Sequence, residues 1–511
     1  MILMTAAFWM APAAAGAPAW HVVRGEFFDV YSDAGKRAAI DTAVWLEQFR
    51  RSVGSIWKID PEKLSRVRVV QFRKERDFEP YRSARHVGGY FRRSELLSIM
   101  AFHDSDGVRR LVQSECVYWL LASMRGRLPN WLHTGIAELY STFEIEGKRC
   151  ELFMPDPGSM SWLRENRVKS LGAVVASTRE DIDYNDRKEV EAFHARAWVL
   201  THYILRGRDV DDGGQKLRDC IALSGRGTHP VEALEQTMGM SMEEIERQLD
   251  RYTEGGRYTA ASMDFPRDEL RKQFIAEDAP GIEVECTLAA LEICGPRNLD
   301  RAELRFLAAR RSEPESPLPY EGLAIVSALR GDRRAAVQYF KEAVTHGSRH
   351  AYAHYLPAAQ ELHDRLGGRP DAHNLRPEDA QRLCDALKRA LELDPSLESA
   401  SQELGQALLF ADPLSKSDVQ LVANLVDSAA DPMLVRYRVA GLLHRLHDKR
   451  VRSLLEKLAS VPNYESLAAA AKADLEALDK SGPGAFIGAR LVRREVQRSL
   501  SLGVPGIDGA R

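Results

Sequence analysis

The apolar periodicity of this chain changes once, near its middle, and that change constrains the fold more than any single motif. Before residue 253, short runs of β-branched and aromatic residues are interleaved with stretches of 3.6-residue periodicity; beyond 267 only the helical period persists. In the first half WHVVRGEFFDVY (20–31), VRVVQF (67–72) and ELLSIMAF (95–102) predict strands, with Gly88–Gly89 in the connection between the last two. Helices are predicted over 34–53, 108–124, 129–143, 189–206, 213–224, 230–238 and 241–252. FEIEGKRCELF (143–153) predicts a hairpin turning at Gly147–Lys148. Gly, Ser and Pro accumulate in TEGGRYTAASMDFPR (253–267), where a boundary is expected. The pattern predicts an α+β domain over 20–255, an all-α region over 267–479, and a last helix with a loose tail over 480–511.

At 511 residues the chain exceeds one ordinary core, in keeping with two or three domains. Its 71 basic and 74 acidic side chains leave a net charge of −3, so nothing points to nucleic acid. No apolar run of about eighteen residues occurs in its body, so no internal membrane span is expected. The first twenty residues, MILMTAAFWMAPAAAGAPAW, carry no charge and hold A-x-A sites at Ala13–Ala15 and Ala15–Ala17, as in the apolar and cleavage regions of a secretory signal. A positive n-region is absent. The expectation is a signal segment over 1–19, whose true start lies upstream of Met1, and a secreted or periplasmic protein; the alternatives are a short buried strand and a cytoplasmic protein. Cys116, Cys150, Cys220, Cys286, Cys294 and Cys384 form no C-x-x-C pair. Free buried thiols are expected, with a Cys286–Cys294 bridge as the alternative in an oxidising compartment.

The stretch LVQSECVYWLLASMRGRLPNWLHTGIAELYSTF (111–143) has the cadence of a metallopeptidase active site. Zinc peptidases place two histidines at i and i+4 of one helix, so that both imidazoles address one metal. The Glu after the first histidine takes a proton from the metal-bound water. At that register stand Ser114, Glu115 and Tyr118. Neutral hydroxyls are poor zinc ligands, and without a metal Glu115 has no activated water to deprotonate.

From about residue 20 to 255 the chain resembles a bacterial family of peptidase-MA-like domains, relatives of the gluzincin metallopeptidases that are often followed by tetratricopeptide repeats. In that family a strand region precedes the H-E-x-x-H helix, and a second helix begins L-P-x-W-L-N-E-G-L-A-E-Y-x-S, whose first Glu is the third metal ligand. LPNWLHTGIAELYS (128–141) matches it at Trp131, Leu132, Gly135, Ala137, Glu138 and Ser141, but Thr134 stands at the ligand position and His133 before it. EAFHARAWVLTHYIL (191–205) resembles a later segment, keeping Trp198, His202 and Tyr203, with His194 in place of a tyrosine. The resemblance implies a zincin-like fold of peptidase ancestry. The degenerate metal positions Ser114, Tyr118 and Thr134 imply a catalytically inactive pseudopeptidase without metal or cofactor. Glu115 is then a vestigial base, and Glu115, Trp131, His133, Glu138 and His194 are expected at the former cleft.

Past the boundary, LPYEGLAIVSALRGDRRAAVQYFKEAV (318–344) fits the tetratricopeptide pattern at Tyr320, Leu323, Ala324, Gly331–Asp332, Ala336, Phe340 and Ala343. Small residues there let two antiparallel helices approach while large ones fill the groove between them. A second unit is split by GGRPDAHNLRPED (367–379) and resumes through Ala390 and Pro395. Such an array offers a concave surface for protein or peptide partners; a plain helical bundle is the alternative. Three enzymatic readings compete. An active zinc peptidase would use displaced ligands among His103, His133, His194, Glu115 and Glu138. A metal-free hydrolase would pair Glu115 with Glu138 as acid and base. A Ser114 nucleophile with His133 as base lacks the G-x-S-x-G elbow.

Overall fold

The computed structural model describes residues 19–489, apart from 83–87, 122–127, 147, 166–169, 179–180, 184–185, 226–227, 266, 367–374, 427–431, 462–463 and 483–486. The expected signal segment, but for residue 19, lies outside the described residues, as does most of the insertion at 367–379.

The strand predicted over 20–31 is two strands, β1 (His21–Arg24) and β2 (Phe28–Ser32), folded back on each other as an antiparallel pair. Helix α1 (Lys36–Trp57) crosses to β3 (Val67–Phe72), which runs parallel to β2. After the short α2 (Glu75–Phe78) come β4 (Gly89–Arg93) and β5 (Ser98–His103), a hairpin whose second strand lies parallel to β3. Next are α3 (Asp106–Leu121), α4 (Asn130–Ser141), β6 (Glu144–Glu146) and β7 (Arg149–Leu152). Helices α5 (Pro157–Glu165), α6 (Leu171–Ala176), α7 (Arg187–Arg206), α8 (Gly213–Gly225), α9 (Pro230–Met238) and α10 (Met242–Gly255) lead to β8 (Ala261–Asp264), α11 (Arg267–Gln273) and β9 (Ala276–Asp278). The rest is helical: α12 (Gly281–Cys294), α13 (Leu299–Ser312), α14 (Pro317–Leu329), α15 (Arg333–Thr345), α16 (Ala351–Leu366), α17 (Pro377–Leu393), α18 (Glu398–Leu408), α19 (Lys416–Leu425), α20 (Pro432–Arg445), α21 (Val451–Ala459) and α22 (Glu465–Ser481).

The larger sheet has the order β4-β5-β3-β2-β1-β9, and β6-β7-β8 form a second, antiparallel one. Side chains alternate across the larger sheet. Val67, Val69, Met100 and Phe102 face a core with Ala39, Ala43, Leu46, Phe49 and Val53 of α1 and with α3 and α4. Val70, Phe72, Ile99 and Ala101 point the other way, into a core shared with Cys286, Ala289 and Ile293 of α12. Burial on both faces is why β3 carries apolar residues in both alternations, Val67 and Val69 on one side and Val70 and Phe72 on the other.

The predicted boundary is corrected by this packing. Within 253–267, β8 pairs with β7, and beyond it β9 pairs with β1. Arg267 and Arg271 of α11 bond Asp41 of α1. The α+β part therefore runs to residue 278, and the all-helical part begins at Gly281. Gly and Ser mark the turns in this stretch, but pairing between strands more than a hundred residues apart leaves no local trace. Strand β4 was also unexpected. Gly89 opens it, where an added Cβ would come within 2.7 Å of Phe102 Cβ.

Helices α14 and α15, joined by only Arg330–Asp332, fold back against each other. Tyr320, Leu323 and Ala324 on the first and Ala336, Phe340 and Ala343 on the second are all buried between helices. Gly331 takes the left-handed φ of +80° that ends one helix, and Asp332 starts the next by accepting from Ala335 N–H at 3.0 Å. The expected loose tail is tied down in part: Ile487 and Ala489 are buried, and the Gly488 N–H donates to Asp474 at 2.7 Å. All six cysteines are free and buried. Cys286 and Cys294 both lie on α12, about 12 Å apart along the helix axis at the usual rise, too far to bridge. Among the described residues no helix is long and apolar enough to cross a membrane.

Candidate functional site

Helix α3 buries Val112, Cys116, Val117, Trp119 and Leu120 in the core of the α+β part. The opposite side carries Leu111, Ser114, Glu115 and Tyr118, spaced at i, i+3, i+4 and i+7. Ser114, Glu115 and Tyr118 are half-buried, so the positions singled out from the sequence share one partly open stripe. The stripe abuts α4, where the Tyr118 and His133 rings lie 4.1 Å apart between centroids, tilted by 43°.

Helix α4 starts after Pro129, whose fixed φ ends the preceding connection. Trp131, Leu132, Ile136, Leu139 and Tyr140 turn into the core. Trp131, expected at the cleft, is wholly buried and so forms part of the core rather than an open wall. Its size makes burial its largest available stabilisation. Tyr140 accepts a hydrogen bond from Trp57 Nε1 at 3.0 Å, and burial pushes its hydroxyl pKa up. Half-buried His133 lies against the stripe, Thr134 beside it is buried, and half-buried Glu138 is directed to α7.

The third wall is α7. Its closeness to α4 depends on Gly135, where an added Cβ would come within 2.4 Å of the Ala197 carbonyl oxygen and 2.0 Å of Thr201 Oγ1. That approach brings His194 Nδ1 to 2.8 Å from Glu138 Oε1. Both side chains are partly open, 30% and 25% exposed, which leaves the pair reachable from solvent.

Ser114, Tyr118 and Thr134, expected at the metal register, each make other contacts. Ser114 Oγ donates to the Arg110 carbonyl at 3.2 Å, within its own helix. Tyr118 packs its ring at a tilt against His133, and Thr134 is buried. His103, at the end of β5, packs on Phe78, its ring centroid 6.0 Å from that ring. Among the described residues no three His, Cys, Asp or Glu side chains converge where they could hold a metal ion. Chemically, these helices offer a Glu–His pair between α4 and α7, and an imidazole tilted against a phenol with Glu115 on the same stripe of α3.

The sequence named both members of the Glu138–His194 pair but not their pairing, which joins residues 56 positions apart. It left His202 without a role. This side chain is wholly buried, with Nδ1 accepting from the Tyr252 hydroxyl at 2.8 Å and Nε2–H donating to the Phe153 carbonyl at 3.3 Å. Burial lowers its pKa to about 4, so it is a neutral clasp holding the β7 end and α10 to α7. No protein-family model matches the chain, and a search of curated proteins finds no match.

Proposed function

We propose that this chain is a pseudopeptidase: a zincin-like scaffold of gluzincin ancestry, joined to tetratricopeptide-like repeats, that binds protein or peptide segments without cutting them. The observation that carries this reading is the filling of Ser114, Tyr118 and Thr134. They stand at the register where the resemblance would put zinc ligands, yet one bonds its own backbone, one packs its ring against His133 and one is buried. Zinc requires imidazole, thiolate or carboxylate donors, which these positions do not supply. The α14–α15 pair, with its buried small and large residues, supports the repeat reading and supplies a second docking place. Export to an extracytoplasmic space belongs to the same proposal and rests on the charge-free Met1–Trp20 segment.

One observation favours the rival reading, a zinc peptidase with displaced ligands: Glu138 and His194 already stand in bonding distance. Metal content of the tag-free protein by mass spectrometry separates the two. The expected result is negligible zinc in the wild type and near-stoichiometric zinc in Ser114→His/Tyr118→His/Thr134→Glu. Near-stoichiometric zinc in the wild type, lost in Glu138→Gln/His194→Ala, would overturn the pseudopeptidase reading.

A further inference from the structure

The tip of the β4–β5 hairpin makes contacts that the sheet does not require. The strands pair in full from Gly89–Phe102 to Arg93–Ser98, and the turn closes itself: Ser94 N–H donates to the Leu97 carbonyl at 2.9 Å, and Leu97 N–H to Ser94 Oγ at 3.1 Å. Yet the three residues Glu95, Leu96 and Leu97 reach into the helical array. The Glu95 carboxylate accepts from Ser399 N–H at 3.2 Å and from Ser399 Oγ–H at 2.9 and 2.8 Å, at the start of α18. A helix N-terminus offers unpaired N–H groups and a partial positive charge, so it suits an anion. The Leu96 carbonyl accepts from His350 Nε2–H at 2.8 Å, just before α16. The Leu96 side chain is 5% exposed, and with Leu97 it borders an apolar pocket lined by Ile293 of α12 and by Ile325 and Leu329 of α14.

The tip thus touches α12, α14, the start of α16, and α18, which are alternate helices of the stack. In a stack of antiparallel helices, alternate members line one face. A carboxylate, a main-chain carbonyl and two leucines laid across that face are what a bound peptide segment would present. Burying a carboxylate is costly unless hydrogen bonds offset the lost hydration, and desolvation does push the Glu95 pKa up.

We infer that Glu95–Leu97 is a built-in occupant of the helical array, and that the site it fills accepts, when the tip withdraws, an extended partner segment bearing an acidic residue followed by two aliphatic ones. The inference rests on the reading of the array as a protein-docking surface. A tethered occupant competes at high effective concentration, so the intact protein binds such a segment only in the fraction of time the tip is out.

The test uses the full chain and a fluorescein-labelled peptide RRSELLS, the chain's own residues 92–98, followed by anisotropy. Glu95→Ala/Leu96→Ala should bind it at least tenfold more tightly than the wild type. Adding His350→Ala/Ser399→Ala should remove that gain. Equal binding by wild type and tip variant would overturn the occupant while leaving the docking surface standing. Absence of binding to both would overturn the two together. Should the double tip variant fail to fold by circular dichroism, the wild type itself decides: millimolar unlabelled peptide should accelerate hydrogen exchange at the Leu96 and Leu97 amides. Unchanged exchange there would overturn the proposal.

Discussion

At the scale of single residues, His202 and Gly135 show how one side chain, or its absence, is set by neighbours far along the chain. His202 is buried and neutral, its pKa lowered first by desolvation to about 4 against an ordinary 6.5. The unfolded chain therefore binds a proton that the folded chain refuses. Stability from this group is complete above pH 6.5 and is lost as the pH falls toward 4, by about 3 kcal/mol in all. Urea titrations at pH 7 and pH 5 should show the wild type losing about 2 kcal/mol more than His202→Phe over that interval. Gly135→Ala should destabilise by about 3 kcal/mol, because the Ala197 backbone it would strike cannot move aside. Gly54→Ala is the control: it lies within α1 with nothing within 4 Å of the added Cβ, so it should stabilise by about 0.5 kcal/mol. A shared cost for both glycines would remove the close-approach argument.

At the scale of elements, the strongest periodic segments formed where the sequence placed them: α1, α3, α4, α7 and β3 all fall within a few residues of expectation. What failed locally was pairing. β4 and β9 are short, and each owes its strand form to the neighbour it bonds. The segment after α22 behaves likewise. Asp474, wholly buried, accepts from the Tyr437 hydroxyl and from Gly488 N–H, both at 2.7 Å, and so joins α20, α22 and the chain beyond them. Asp474→Ala removes the buried acceptor that both donors share and should cost about 3 kcal/mol. It should also release 487–489 to rapid amide exchange; slow exchange there in the variant would show that the anchor lies elsewhere. For the candidate site, residue types and the α3 stripe were readable in the sequence. The Glu138–His194 bond was not, since it depends on how closely α7 approaches α4.

At the scale of the whole molecule, the helical array and the larger sheet share one core. Val70, Phe72, Tyr90 and Ile99 are buried with residues of α12, and Tyr31 and Arg24 at the other end of the sheet bond Glu283 of the same helix. Heat should therefore unfold both parts in one calorimetric transition rather than two. A chain ending at residue 279 would expose one face of the sheet and should bind a hydrophobic dye or aggregate. A soluble, dye-silent fragment would show that the α+β part completes its core alone. The amino-acid sequence by itself determined the helical and strand periods, the change of class near the middle, the packing positions of the α14–α15 pair and the lack of zinc donors at Ser114, Tyr118 and Thr134. These are properties of residue type and spacing, and they need no knowledge of what lies across the fold. Only the tertiary structure decided which face α12 covers, where the α+β part ends, and that the β4–β5 tip reaches α18. Those depend on contacts between residues up to 304 positions apart, which no local pattern encodes.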